Sequence, residues 1–241
     1  LVQAGKLAAL GQMSAALSHE FNQPLAAART YADNAGILIE RGRIGEARET
    51  VGRIASLIDR MASISRHLRN FARKPNQKLG PVALDEVMRD TLEIVAWRLK
   101  AADAELAVDL GPEPLAVHAG SVRLSQVLVN IVSNAADAVE GLPDPGADRR
   151  IQLRARRQGD RIAITVRDRG PGVPEAIAGR IFDPFFSTKG VGKGLGLGLS
   201  ISYNIVKDFG GALTVERHPE GGTLATILLN PAESPVREAA E

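Results

Sequence analysis

Apolar residues in the first third of the chain recur at alternating spacings of three and four. Leu7, Leu10, Ser14, Leu17, Phe21, Leu25, Ala28, Ala32, Ala35 and Leu38 draw one narrow stripe down a long helix. Val51, Ile54, Ile58, Met61, Ser65, Leu68 and Ala72 draw a second, with Leu57, Ile64 and Phe71 on its flank. Arg41-Gly42-Arg43-Ile44-Gly45 interrupts the pattern, so the two helices fold back as an antiparallel hairpin. Two narrow seams leave apolar flanks uncovered, and the natural completion is a four-helix bundle made by a homodimer.

The pattern then changes. Lys74 to Pro81 is polar and bracketed by prolines, which reads as a linker over 75–81 after a helical domain at 1–74. Leu84 to Lys100 is amphipathic helix, Glu105 to Asp109 a strand, and Ser121 to Val139 another helix. Ile151 to Arg157 and Arg161 to Arg167 alternate around Gln158-Gly159-Asp160 as a β-hairpin. Leu197 to Phe209 is helical, and Ala212 to Glu216 with Thr223 to Leu229 forms a second hairpin around Gly221-Gly222. The order of elements suits an α+β two-layer sandwich over 82–231 better than a doubly wound sheet, with a disordered tail at 232–241.

Composition narrows the function classes. Thirty basic and 28 acidic residues nearly cancel in a chain of 241, which points away from nucleic acid. With no cysteine there is no disulfide framework and no thiol chemistry. No apolar run approaches the roughly 20 residues of a membrane span, so no membrane contact is expected of these residues. Leu1 stands where a helix is already under way, without an initiator methionine, so the sequence reads as part of a longer protein.

Three features carry chemistry. On the Ser121 to Val139 helix, Arg123, Gln126, Asn130, Asn134 and Asp137 share a face opposite the core. A solvated face usually selects Lys or Glu, and asparagine is a poor helix former, so two Asn one turn apart point to a ligand. Their amide oxygens suit Mg²⁺, which takes its other ligands from phosphates and water. Asp168-Arg169-Gly170-Pro171-Gly172 puts a carboxylate at the end of a strand, where it can accept a hydrogen bond from an exocyclic amine such as that of adenine. Gly194-Leu195-Gly196-Leu197-Gly198 opens a helix whose N–H groups can face phosphate.

In this order, with Phe182 to Lys189 between the last two, these segments resemble the N, G1, F and G2 boxes of sensor histidine kinases. Ser18-His19-Glu20-Phe21-Asn22-Gln23-Pro24 resembles their H box, in the H-E-x-x-Q-P form of C4-dicarboxylate-type sensors. The resemblance implies an all-α hairpin followed by a sandwich of the histidine kinase, gyrase and Hsp90 type. It implies that ATP phosphorylates His19, with Glu20 as base. Asn134 then holds Mg²⁺ with Asn130 in support, Asp168 reads adenine beside Gly170 and Gly172, and Lys189, Gly194, Gly196 and Gly198 belong to the lid and phosphate side. Arg123 is a further candidate phosphate contact. Gln23, one turn after His19, is placed to orient a water against a partner's phospho-aspartate, although relatives more often carry Thr or Asn there.

The partners implied are a second copy, the receiver domain of a response regulator, and an upstream sensor domain in the same full-length chain. That chain is expected to be anchored in the inner membrane, with these residues in the cytoplasm. In gyrase-like relatives a glutamate replaces Asn130 and activates water, so this sequence argues against simple hydrolysis. An ATP-driven clamp without a phosphoprotein remains the alternative, and it leaves the His19 to Pro24 run unexplained. His67, His118 and His218 match no motif and have no metal-ligand spacing. Asp208-Phe209-Gly210 lacks the partners of a eukaryotic kinase motif and reads as a helix stopped by glycine.

Overall fold

A computed structural model describes residues 14–72, 79–144, 146–188 and 196–233, which divide into a helical unit and an α/β unit. The helical unit is a hairpin of α1 (Ser14–Glu40) and α2 (Ile44–Ala72). Its turn is tighter than the five-residue break in the sequence suggests. Gly42 takes φ +71°, and the Arg43 N–H reaches back to the Leu38 carbonyl at 2.8 Å, a glycine stop that ends α1 and lets α2 begin at Ile44. Arg43 and Glu46 form an ion pair across the first turn of α2.

Packing within one hairpin shifts the seam from the stripes drawn above. Pro24, Ala28, Tyr31, Ala35 and Leu38 face Ala47, Thr50, Ile54, Leu57 and Met61, all buried or half-buried. Leu57 therefore belongs to the seam and not to the flank. Leu25 and Ile39 on α1, with Ile44, Val51 and Ile58 on α2, are each more than half exposed. The three on α2 recur every seven residues, the repeat of a second packing face.

In the α/β unit the strands are β1 (Gly80–Ala83), β2 (Glu105–Asp109), β3 (Ala116–Ala119), β4 (Arg150–Gln158), β5 (Arg161–Arg167), β6 (Ala212–Arg217) and β7 (Thr223–Leu229). The helices are α3 (Leu84–Ala101), α4 (Ser121–Glu140), the single-turn α5 (Glu175–Ala178) and α6 (Gly198–Asp208). A five-stranded sheet runs β2-β4-β5-β7-β6, with β2 parallel to β4 and the remaining pairs antiparallel. Alternation sets its two faces: Ile151, Leu153, Ala155, Ile162, Ile164, Val166, Ile227 and Leu229 are buried under the helices, while Arg150, Arg154 and Arg156 face water. A helix-on-sheet sandwich results, as expected from the sequence.

Two strands escaped the sequence reading. β1 and β3 pair antiparallel, Gly80 with Ala119 and Pro81 with His118. Gly80 and Pro81, assigned to the linker, thus begin the α/β unit; Pro81 is tolerated because β1 is an edge strand. At the other end, the Ala232 N–H donates to the Ala116 carbonyl at 2.9 Å and the His118 N–H to the Asn230 carbonyl at 2.9 Å. Ala232, placed in the tail, is therefore fastened to β3. Residues 73–78 of the expected linker and 234–241 of the expected tail lie outside the described residues.

Candidate functional site

Asp168 follows the last residue of β5 and is only 5% exposed. Its Oδ1 accepts the Gly170 N–H at 2.8 Å and the Thr223 N–H at 3.1 Å, and the Asp168 N–H donates to the Thr223 carbonyl at 3.0 Å. Burial pushes the carboxyl above its ordinary value, while the hydrogen bonds from Gly170 and Thr223 pull the other way without cancelling it. A carboxylate kept in so dry a place is costly to the fold, which is a reason to look for a ligand.

The glycines around it are required by close approach. A Cβ on Gly170 would stand 2.8 Å from the Ala138 Cβ of α4, and one on Gly172, at φ +78°, would stand 2.9 Å from the Gly222 carbonyl oxygen. Gly222 is tighter still: it adopts φ +85° and a Cβ there would lie 2.0 Å from the Asp168 carbonyl oxygen. Gly222→Ala is expected to destabilise the α/β unit by at least ~2 kcal/mol. Thermal unfolding would register this as a Tm lower by roughly 4–8 °C.

α4 runs from this loop to α6. Its half-buried Asn130 donates from Nδ2 toward the Gly198 carbonyl at 3.4 Å and Ser202 Oγ at 3.3 Å, both on α6. Asn130, Asn134 and Ala138 follow at intervals of four, so one helical face leads from the α6 N-terminus to the loop holding Asp168, a span of about 12 Å. Gly198 opens α6, where the first-turn N–H groups have no partner within the helix. Gly196 precedes it at φ +64°, and a Cβ there would be 2.4 Å from the Phe186 carbonyl oxygen. The Phe185 N–H, on a residue itself at φ +67°, donates to the Gly196 carbonyl at 3.0 Å. This bond ties Gly196, just before α6, to the Phe182 to Phe186 run. Phe182 stacks on Tyr203 of α6 with ring centroids 4.8 Å apart.

The polar stripe of α4 divides in the structure. Asp137 turns to Arg98 of α3, which also reaches Glu140. Arg123 pairs with Asp208 at 2.6 Å and lies over the Phe209 ring. That position is at the C-terminal end of α6, about 15 Å along the helix from Gly198. Arg123 therefore braces two helices at the end of α6 remote from Gly198, whereas the sequence reading made it a candidate phosphate contact. Asp208 is thereby accounted for as a helix-end residue, with Gly210 beyond it at φ +71°.

His19 and Glu20 lie on α1 by their backbone, and their side chains are outside the described residues. Gln23 is exposed one turn further along, and Pro24 beside it is buried in the seam. Lys189 and Gly194 also lie outside the described residues. The structure thus brings together Asn130, Asn134, Asp168, Gly170, Gly172, Gly196 and Gly198. It adds Ala138, Gly222 and Thr223, which sequence reasoning passed over. The Gly221-Gly222 pair was a signal, but it reads equally well as an ordinary hairpin turn.

Among the described residues no cluster of three His, Cys, Asp or Glu side chains could cage a metal. The donor set offered along α4 is two neutral amides, which fits an ion that brings most of its ligands with a phosphate and does not fit a protein-held metal centre.

Comparison with known proteins bears on both units. Residues 9–77 match the His Kinase A (phospho-acceptor) domain, and residues 119–233 match the histidine kinase-, DNA gyrase B- and HSP90-like ATPase family. The C4-dicarboxylate transport sensor protein DctB of Pseudomonas aeruginosa is 44% identical over 231 residues, covering 96% of this chain and 37% of its own. DctB of Rhizobium meliloti is 42% identical over 228 residues, covering 95% of this chain and 36% of its own. The chain thus spans little more than a third of the length of these relatives. Among solved structures, the histidine kinase ThkA in complex with the response regulator TrrA superposes with a TM-score of 0.70 at 23% identity, over 95% of this chain and 64% of that one. That likeness supports the fold.

Proposed function

The chain belongs to the sensor histidine kinases, and from that membership we propose that it is a catalytic core which moves the terminal phosphoryl group of ATP onto His19 and passes it to an aspartate of a response regulator. The observation that carries the proposal is the buried carboxylate of Asp168, joined by one face of α4 to the N-terminus of α6, in a chain that also holds the His19 to Pro24 run.

Each residue then has a task. Asp168 accepts the adenine amine, and Gly170, Gly172 and Gly222 let backbone approach the base. The α6 N-terminus, with Gly194, Gly196 and Lys189, faces the phosphates. Asn134, supported by Asn130, would hold Mg²⁺, which when bound neutralises charge on the phosphates. His19 attacks through a neutral ring nitrogen while Glu20 takes up the proton on the other, fixing the tautomer. Positioning and electrostatic neutralisation supply most of the acceleration in such a transfer.

A second hairpin is proposed to cover Leu25, Ile39, Ile44, Val51 and Ile58, giving the dimer. Val51→Glu combined with Ile58→Glu would place charges in that interface, and sedimentation is expected to show a monomer where the native chain is a dimer. Gln23 is proposed to serve dephosphorylation of the regulator; Gln23→Ala should slow loss of label from a phosphorylated receiver domain and leave the labelling of His19 intact. The sensory part and its membrane anchor belong to the remainder of a longer protein, and this chain is proposed to be the cytoplasmic portion. An ATP-driven clamp predicts instead slow hydrolysis and no labelled protein.

A further inference from the structure

We propose that Arg167 and Glu220 form a positioning pair for the nucleotide site, fastening the β6–β7 turn where Gly222 and Thr223 fix Asp168. The inference rests on the ATP reading and concerns how its base end is held.

The turn needs fastening because of its own composition. Gly221 and Gly222 take φ +88° and +85° in succession, a stretch that glycine makes permissive. Its internal bonds run from the His218 N–H to the Gly222 carbonyl at 3.0 Å, from the Gly221 N–H to the His218 carbonyl at 2.9 Å, and from the Glu220 N–H to His218 Nδ1 at 3.2 Å. These shape the turn without tying it to β5.

Beyond the Thr223 bonds, a further tie comes from a side chain. Arg167 is the last residue of β5, with Leu224 of β7 as its register partner. Alternation sends it to the open face of the sheet while Asp168 turns toward the helices. An arginine there should be well hydrated, yet its side chain is only 18% exposed. Its terminal nitrogen donates to Glu220 Oε2 at 2.7 Å. Its Nε is buried without a hydrogen-bond partner, so the guanidinium depends on Glu220. The same bond holds the Glu220 carboxyl below its ordinary range, with His218 and Arg169 adding to the positive field.

The geometry shows what the pair controls. Two residues beyond Glu220, Gly222 packs on the Asp168 carbonyl and on Gly172. Thr223 then exchanges hydrogen bonds with Asp168 in both directions. A turn that drifts outward loosens the acceptor that reads the base and leaves α4 and the phosphate end untouched.

That division makes the test specific. ATP, ADP and adenosine are titrated calorimetrically into the wild-type chain, Glu220→Ala, Arg167→Met, and the charge-swapped Arg167→Glu/Glu220→Arg. Glu220 is 68% exposed, so Glu220→Ala is expected to fold with Tm close to wild type. Its affinity should fall roughly threefold or more, because an arginine is left without its carboxylate. The factor should be the same for all three ligands, since only the base end moves, and the swapped chain should bind more tightly than either single variant. Wild-type affinity in Glu220→Ala, a changed ratio of ATP to ADP affinity, or no recovery in the swapped chain would overturn the proposal. A wild-type chain that binds no adenine nucleotide sinks the ATP reading and the pair with it. A wild-type chain that binds while Glu220→Ala binds equally sinks the pair alone.

Discussion

His19→Gln, incubated with Mg²⁺ and ATP labelled at the terminal phosphate, is expected to take up no label, a loss of at least about 10³-fold. Glutamine keeps helix propensity and polarity, so the hairpin and its dimer should persist, but an amide nitrogen's lone pair is delocalised into its carbonyl and cannot attack phosphorus. The label on the native chain should be lost in acid and kept in base, as a phosphorus–nitrogen bond requires. Glu20→Gln separates two roles at this site. If Glu20 is the base, the initial rate should fall roughly 10²–10⁴-fold while the chain still becomes labelled at long times. Label of native amount on His19→Gln would transfer the reaction to another residue and end the histidine kinase reading.

The second large effect is expected at Asp168, where function and stability should part company. Asp168→Asn removes the charged acceptor from the base and puts an NH2 group on the same fork, so ATP affinity should drop about 10- to 100-fold. The fold should not suffer. Asparagine keeps an oxygen for the Gly170 and Thr223 N–H groups, and the native carboxyl is held above its ordinary value chiefly by burial. A raised carboxyl means that the folded chain binds more protons than the unfolded one between the two values, so stability falls as pH rises through that window. Above the raised value the full penalty is present in the native chain and missing from the variant. Asp168→Asn is therefore expected to melt at the same temperature or higher above that window, with the advantage shrinking as pH falls through it and gone below about pH 3, where both states of the native chain are protonated. Calorimetric unfolding at several pH values, paired with ATP titration, checks both signs. A variant that binds ATP as the native chain does would remove Asp168 from the site.

The architecture followed from periodicity because burial has a direction. Strands β4, β5 and β7 alternate over seven or more residues, and α4 carries an unbroken core face from Leu124 to Val139, so each element declared which side it buries. β1 and β3 gave no such signal. Each is four residues long, the first contains Pro81, and their apolar residues do not alternate, so a proline-bracketed run passed for linker. In the hairpin, the stripes identified the helices but not which of two apolar faces meets within one chain. Val51 and Leu57 are both suitable seam residues, and only the folded hairpin shows Leu57 half-buried and Val51 more than half exposed.

By itself the sequence determined the elements, the two units, and the residue types from which an adenine and phosphate site is proposed: Asn130, Asn134, Asp168 and the glycines near them. Those are local properties, readable wherever spacing alone places residues on one face or at one strand end. The tertiary structure decided which of them meet. It withdrew Arg123 and Asp137 into braces with Asp208 and Arg98, and it set Gly222 and Thr223 against Asp168 across 54 and 55 residues of chain. Such contacts depend on the register of β5 against β7 and on a side chain's choice between neighbours. Both are fixed only when the sheet and its helices close over a common core.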